Sequence, residues 1–155
     1  MRRETAVIAL ALCIVPMVEE ILPEPPVLIK PPVEVLEIEE EPLDYDLDTV
    51  LGVIAAEAAD QPYEGQMAVA QCIMTTAERR GVTPEEVVLT PGQYAEPNME
   101  RIEAVRAAGE AVLIRGERVV DEPIEYFYEP DLCRSDWHES LTFVTEIGDH
   151  RFFRR

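Results

Sequence analysis

Basic residues are scarce in this chain: 13 Lys+Arg stand against 32 Asp+Glu, a net charge of −19. A surface of that sign lacks the cationic footprint that phosphates need, which excludes nucleic acid as a partner. Attraction to an anionic membrane surface is excluded for the same reason. Histidine is scarcer still, with only His138 and His150. No HExxH or CxxC spacing occurs, so no metal and no cofactor are expected, and zinc-dependent chemistry is disfavoured. A phosphate loop and a GxSxG nucleophile elbow are also missing. The three cysteines, Cys13, Cys72 and Cys133, are an odd number. They can form one disulfide in an oxidising compartment or remain free thiols. Aromatic residues are absent before Tyr45, so the first 44 residues hold no aromatic core material. No apolar run reaches the roughly 20 residues that cross a bilayer comfortably.

What is present divides into three parts. Residues 1–22 hold a basic start (Met1-Arg2-Arg3-Glu4), an apolar run from Ala6 to Val18, and Glu19-Glu20. This resembles a secretory signal or anchor, although Glu4, Pro16 and the lack of an A-x-A site depart from the pattern. The segment reads as exporting the chain or tethering it to a membrane; the alternative is an apolar tail on a cytosolic protein. Residues 23–45 carry prolines at 23, 25, 26, 31, 32 and 42 among many glutamates. Proline fixes φ and like charges repel, so this is an extended acidic linker. Residues 46–155 are a normal size for one compact domain. The acidity pervades both sides of Tyr45, with 3 basic and 10 acidic residues before it and 10 and 22 from it onward. The plain consequence is a soluble, self-repelling surface.

Within the domain, Leu47, Val50, Leu51, Ile54, Ala55 and Ala58 recur at helical spacing, with Asp46 or Asp48 as the cap. Pro62 marks the end of that helix. A second helix is predicted from Glu64 to Arg80, with Gly81 as its stop. Thr83-Pro84-Glu85-Glu86 is a capping box that opens a short helix through Val88 or Leu89. Thr90-Pro91-Gly92-Gln93 is a turn-rich loop, and a third long helix is predicted over 98–115. The last third changes character. Residues 124–128, 141–147 and 151–153 are rich in β-branched or aromatic residues and read as short strands. The fold class is therefore α+β, mainly helical, with a small antiparallel β region near the C-terminus.

Glu57 is the most informative residue. Helical spacing puts it between Val50 and Val53, inside the apolar sector of the first helix and one turn before its end. Desolvation favours the protonated form of a carboxyl, and a general acid for glycoside cleavage needs its proton near neutral pH. On spacing alone, the favoured reading of Glu57 is a glutamate at the edge of the stripe that reaches water.

The stretch from Ala56 to Ala70, A-E-A-A-D-Q-P-Y-E-G-Q-M-A-V-A, resembles the A-E-A-R-G-E-P-Y-E-G-Q-x-A-V-A signature of spore-cortex-lytic enzymes and related cell-wall hydrolases. Further similarities follow in the family's order. Pro91-Gly92-Gln93-Tyr94 is similar to its P-G-Q-F loop, and Tyr126-Phe127-Tyr128 with Pro130 to its Y-F-Y-N-P segment. Trp137 falls where the family has a tryptophan, and residues 147–153 resemble its closing I-G-x-H-x-F-Y. The resemblance covers about residues 47 to 154. It implies a lysozyme-like fold and cleavage of peptidoglycan glycan strands between N-acetylmuramic acid and N-acetylglucosamine, with Glu57 as general acid and then base. If the muramic acid's own 6-hydroxyl attacks, the enzyme is a lytic transglycosylase; if water attacks, it is a muramidase. It also implies action at the cell wall, by an exported or membrane-anchored protein of bacterial or phage origin, expected to work as a monomer.

The remaining candidates follow from that picture. Gln66, Gln93, Tyr94, Tyr126, Tyr128 and Trp137 are the expected substrate contacts, since amides and phenols bond sugar hydroxyls and aromatic rings stack on sugars. Turn chemistry, strand packing and core closure are the competing roles for the loop residues, the tyrosines and Trp137. Asp60 and Glu64 are candidate second carboxylates, which a hydrolase usually wants. His150 is a structural or catalytic partner. The chain departs from the family where R-G-E becomes Ala59-Asp60-Gln61, and where the usual serine after the loop is Ala95. Those departures keep open a weak or inactive module that only binds wall glycan; a membrane-tethered structural protein is a further alternative.

Overall fold

In a computed structural model, residues 42–155 are described; the apolar leader and all but the end of the acidic linker lie outside the described residues. Asp46 caps the first helix, α1 (Leu47–Ala58), by accepting from the Asp48 backbone N–H at 3.1 Å. The second helix, α2 (Tyr63–Arg80), follows a four-residue turn and stops at Gly81, whose φ of 68° suits a residue without Cβ. α3 (Pro84–Val88) opens with the full Thr83/Glu86 capping box. The expected third long helix is shorter than predicted. It begins as a 3₁₀ turn, Met99–Arg101, and continues as α4 (Ile102–Leu113). No side chain caps the start of this 3₁₀ turn, which leaves its first turn free to tighten.

The β region consists of β1 (Tyr126–Tyr128), β2 (Thr142–Ile147) and β3 (His150–Arg154), antiparallel in the order β1-β3-β2. Between β1 and β2 lies a short helix that the pattern did not predict, α5 (Asp136–Glu139), capped by Ser135. At four residues it is too short for a periodic signal to register. In the register, Phe127 pairs with Phe152 and Tyr126 with Phe153. One face of the sheet carries Phe127, His150 and Phe152 toward the helices. The other gathers Tyr126, Tyr128 and Phe153 with α5. The architecture is α+β, helices first and sheet last.

The core is built from the inner faces of α1, α2 and α4, with Phe152 inserted from the sheet. Each fully buried side chain of this size contributes about 1.5–3 kcal/mol. α1 and α4 meet at Gly109, where a Cβ would lie 2.3 Å from Leu51 Cδ2.

Two glutamines tie the helices to the rest. Gln71 is buried; its amide donates to the carbonyls of Val120 (2.7 Å) and Glu122 (3.3 Å), and its oxygen accepts from the N–H groups of Val119 and Val120. This fixes the segment that leads into β1. Gln61, on the α1–α2 turn, donates to Asp149 Oδ2 at 3.0 Å and accepts from the Asp149 N–H at 2.9 Å. That pair holds the β2–β3 turn against the end of α1. Gly148 makes the approach possible, since its φ is 60° and a Cβ there would sit 2.3 Å from Gln61 Oε1 and 2.8 Å from Pro62 Cδ. Gly148→Ala is therefore expected to destabilise the domain by about 1–3 kcal/mol, read as a lower urea midpoint at unchanged m-value. Unchanged stability would mean that the turn closes without this contact.

Candidate active site

Glu57 stands on the last turn of α1, where the helix meets the sheet. Its side chain is half-buried. The Ala95 N–H donates to Glu57 Oε1 at 2.7 Å, which fixes the carboxyl group from the loop that follows α3 and leaves Oε2 for the cleft. Two recesses meet at this residue. The larger, about 590 Å³, is lined on one side by the α1–α2 turn with Asp60 and Gln61. Its other side is Phe127, Tyr128, Leu132, Asp149 and His150. The smaller, about 130 Å³, is enclosed by Gln93, Tyr94, Glu125, Tyr126, Phe127 and His138. Glu57 and Phe127 belong to both, so they form the waist of one groove. An elongated groove with a carboxyl at its waist suits a chain-like ligand passing along it.

The predicted substrate residues divide. Gln93, Tyr94 and Tyr126 line the smaller recess and Tyr128 the larger one. Burial, reinforced by the nearby Cys72 and Glu57, pushes the Tyr94 phenol far above its ordinary range, so it stays a neutral donor. Gln93 accepts from Arg80 at 3.1 Å. The Tyr128 hydroxyl donates to Glu139, and its ring stacks on His138 and Phe153. Trp137 is half exposed, 5.1 Å edge-on from the Tyr126 ring, so it buttresses that wall of the groove rather than filling the core. Gln66 lines neither recess; it is buried and donates to the Gln61 carbonyl at 3.0 Å, bracing the turn that carries Asp60 and Gln61.

The two candidate second carboxylates also separate. Asp60 lines the larger recess but is gripped by Arg101 through two bonds of 2.9 and 2.6 Å, which hold its carboxyl below the usual carboxylate range. Glu64 is exposed on the first turn of α2 and lines neither recess. Cys72 is buried and Cys133 exposed, and both are free thiols. Among the described residues, no cluster of His, Cys, Asp and Glu has the arrangement to hold a metal ion.

Several lining residues were not among the candidates that the sequence offered. Phe127 is the shared wall, and its ring lies edge-on to His150 at 5.1 Å. Asp149 falls at the variable position of the closing motif, and its role emerges only from Gln61, which lies 88 positions away. His138 reaches the smaller recess because α5 turns it there, with Ser135 Oγ 2.6 Å from its Nδ1. Glu125 is 8 % exposed, and its Oε2 lies 2.6 Å from Arg79 Nε, although that N–H is not aimed at the oxygen.

His150 is buried, and its Nδ1 finds no hydrogen-bond partner among the described residues. Burial lowers its pKa below the ordinary 6.5, against the opposing pull of Glu57 and Asp149. His138 is lowered in the same way, against Glu139. Both rings are thus held neutral by the fold. The unfolded chain binds more protons than the native one as pH falls through about 6.5, so stability falls with it. His150 and His138 are expected to titrate below 6.5 in proton NMR. Unfolding free energy should begin to drop as pH passes below that value, less steeply in His150→Gln. A His150 midpoint above 6.5 would contradict this environment.

A model of the cell wall hydrolase family matches residues 60–153. A search of the curated proteins finds no match. Among solved structures, the chain is similar to the catalytic domain of the germination-specific lytic transglycosylase SleB from Bacillus anthracis. The TM-score is 0.59 at 23% identity, covering 74% of this chain and 100% of that one. It is similar as well to the catalytic domain of the Bacillus cereus SleB protein, with a TM-score of 0.56 at 23% identity, covering 75% of this chain and 97% of that one. These likenesses show that the helices and small sheet form the same fold as those catalytic domains. With the family model spanning most of the described domain, the chain belongs to the cell wall hydrolase family.

Proposed function

We propose that this protein cleaves peptidoglycan glycan strands between N-acetylmuramic acid and N-acetylglucosamine as a lytic transglycosylase, with Glu57 as both acid and base. The observation that carries the reading is the position of Glu57 at the waist of the groove, with one oxygen held by the Ala95 N–H and the other open. In the first step Glu57 gives its proton to the glycosidic oxygen, and the bond from that oxygen to the muramic C1 breaks. In the second, the Glu57 carboxylate takes the proton of the muramic 6-hydroxyl as that oxygen bonds to C1. The product is a 1,6-anhydro end, and Glu57 regains its proton. One carboxyl suffices because the substrate brings its own nucleophile. The likeness to a lytic transglycosylase catalytic domain supports this route over a plain muramidase.

Around this centre, Gln93, Tyr94 and Tyr126 would hold the sugar on one side of the scissile bond and Tyr128 on the other. Trp137 backs Tyr126, and Gln66 acts at one remove by bracing the turn. His150, neutral and set beside Phe127, would support the wall of the larger recess rather than exchange protons. Asp60 would keep Arg101 in place. The apolar leader and acidic linker would deliver a monomeric domain to the wall, exported or tethered.

The test is digestion of purified peptidoglycan by the full chain beside Glu57→Gln, with products read by mass spectrometry. Anhydro-muramic ends from the wild type, reduced at least about 100-fold in the variant, are expected. Intact glycan with both proteins retained on the wall would instead identify a binding module. Undiminished cleavage by Glu57→Gln would remove Glu57 from the chemistry.

A further inference from the structure

We propose that Glu125 is a second catalytic carboxylate, which activates a water in the smaller recess and gives the enzyme a hydrolytic route beside anhydro-sugar formation. The proposal rests on the glycan-cleaving role of Glu57 argued above.

The smaller recess is lined by two carboxylates, Glu57 and Glu125. Glu125 is an unusual wall residue for such a space. It directly precedes β1 and is anchored by its backbone N–H, which donates to the Phe153 carbonyl at 2.9 Å. Its side chain is more than nine-tenths buried, and its Oε2, fully buried, lies 2.6 Å from Arg79 Nε without an aligned N–H. With Oε2 turned toward Arg79, Oε1 is the oxygen left for a ligand, and Glu125 lines the recess. A buried carboxylate needs a partner for each oxygen, and Arg79 supplies one for Oε2 alone. The recess, about 130 Å³, has room for several waters, each needing on the order of 10–15 Å³. His138, which lines the recess and is not among the residues assigned to the sugar, offers a further polar partner for a bound water.

The other carboxylates near Glu57 are less suited. Asp60 has both oxygens engaged by Arg101. Asp149 Oδ2 accepts from Gln61. Glu129 lines the larger recess and is only half-buried, so bulk water satisfies it. Glu125 is thus the carboxylate that lines the smaller recess together with Glu57.

In the step this permits, Glu57 protonates the glycosidic oxygen and the bond to the muramic C1 breaks, as in the anhydro route. A water in the recess then bonds to C1, and Glu125 takes the proton it loses. The product is a reducing muramic end. Glu57 is left as carboxylate and Glu125 as carboxylic acid, and a proton passing from Glu125 through solvent to Glu57 restores both. Such a pair, an acid and a base flanking a water, is the arrangement that glycoside hydrolases use.

The experiment is digestion of purified peptidoglycan by the full chain in ¹⁸O-labelled water, with anhydro ends and labelled reducing ends counted separately by mass spectrometry. The wild type is expected to yield both. Glu125→Gln, which keeps the shape but removes the base, should lose labelled reducing ends by about 100-fold while anhydro ends persist. Persisting anhydro ends show in the same sample that the groove is folded. Arg79→Lys, which keeps a positive partner beside Glu125, should retain the labelled ends. If Glu125→Gln does not fold, the double variant Arg79→Gln/Glu125→Gln, which leaves no unpaired charge, should show the same selective loss. Anhydro ends alone from the wild type would overturn the proposal and leave the role of Glu57 standing. Unchanged labelled ends in Glu125→Gln, or their equal loss in Arg79→Lys, would also overturn it. No cleavage at all by the wild type would overturn both readings.

Discussion

The width of the groove depends on the side-chain amide of Gln61. It donates and accepts at once, and both bonds go to Asp149 in the β2–β3 turn. No carboxylate could make this pair beside the Asp149 carboxylate without repulsion. Gln66 holds the Gln61 carbonyl from below, and Gly148 lets the two backbones approach. The end of α1, which carries Glu57, is thereby set at a fixed distance from the sheet that carries Phe127 and His150. Gln71 does the same for the segment entering β1, through four bonds from one buried amide. The family's glutamate at position 61 is absent here, yet the substitution has a complete structural account. It is a brace, matched to the aspartate opposite it.

The charge of the protein has a local counterpart. The groove is lined by carboxyl groups and neutral polar or aromatic side chains, and three arginines near it face carboxylates. Arg101 holds Asp60, Arg79 faces Glu125, and Arg151 is paired with Glu139 and lies 4.7 Å over the Phe143 ring. Binding of a neutral sugar backbone in such a groove relies on hydrogen bonds and ring contacts rather than on attraction between charges. Histidines kept neutral by burial fit that setting, since their charging would alter the field around Glu57.

Much of the fold was legible in the sequence because its signals are local. The Asp46 cap, the Thr83 capping box, Gly81 and the aromatic strands each declare themselves within a few residues. Glu57 stood out because it interrupts an apolar stripe near a helix end, and the structure puts it on the groove. Tyr94, Gln93, Tyr126 and Tyr128 also line it, as their motifs suggested. Three features were beyond reach. α5 is too short to show a period. Asp149 gains its role from a residue 88 positions away. Glu125 looks like one more acidic residue in an acidic chain until Arg79 and the sheet bury it. Conversely, Gln66 and Glu64 sit within the strongest motif but outside the groove, because a helical motif exposes different residues to different surroundings.

The central claim is that a glycan lies along this groove with its scissile oxygen at Glu57. The most direct measurement is a crystal structure of Glu57→Gln, which cannot donate the required proton, soaked with a tetrasaccharide of alternating N-acetylglucosamine and N-acetylmuramic acid. The account predicts sugar in both recesses, one ring against Tyr126 and another beside Tyr128. A glycosidic oxygen should lie about 3 Å from the residue-57 side chain. Sugar bound elsewhere, with both recesses empty, would contradict it.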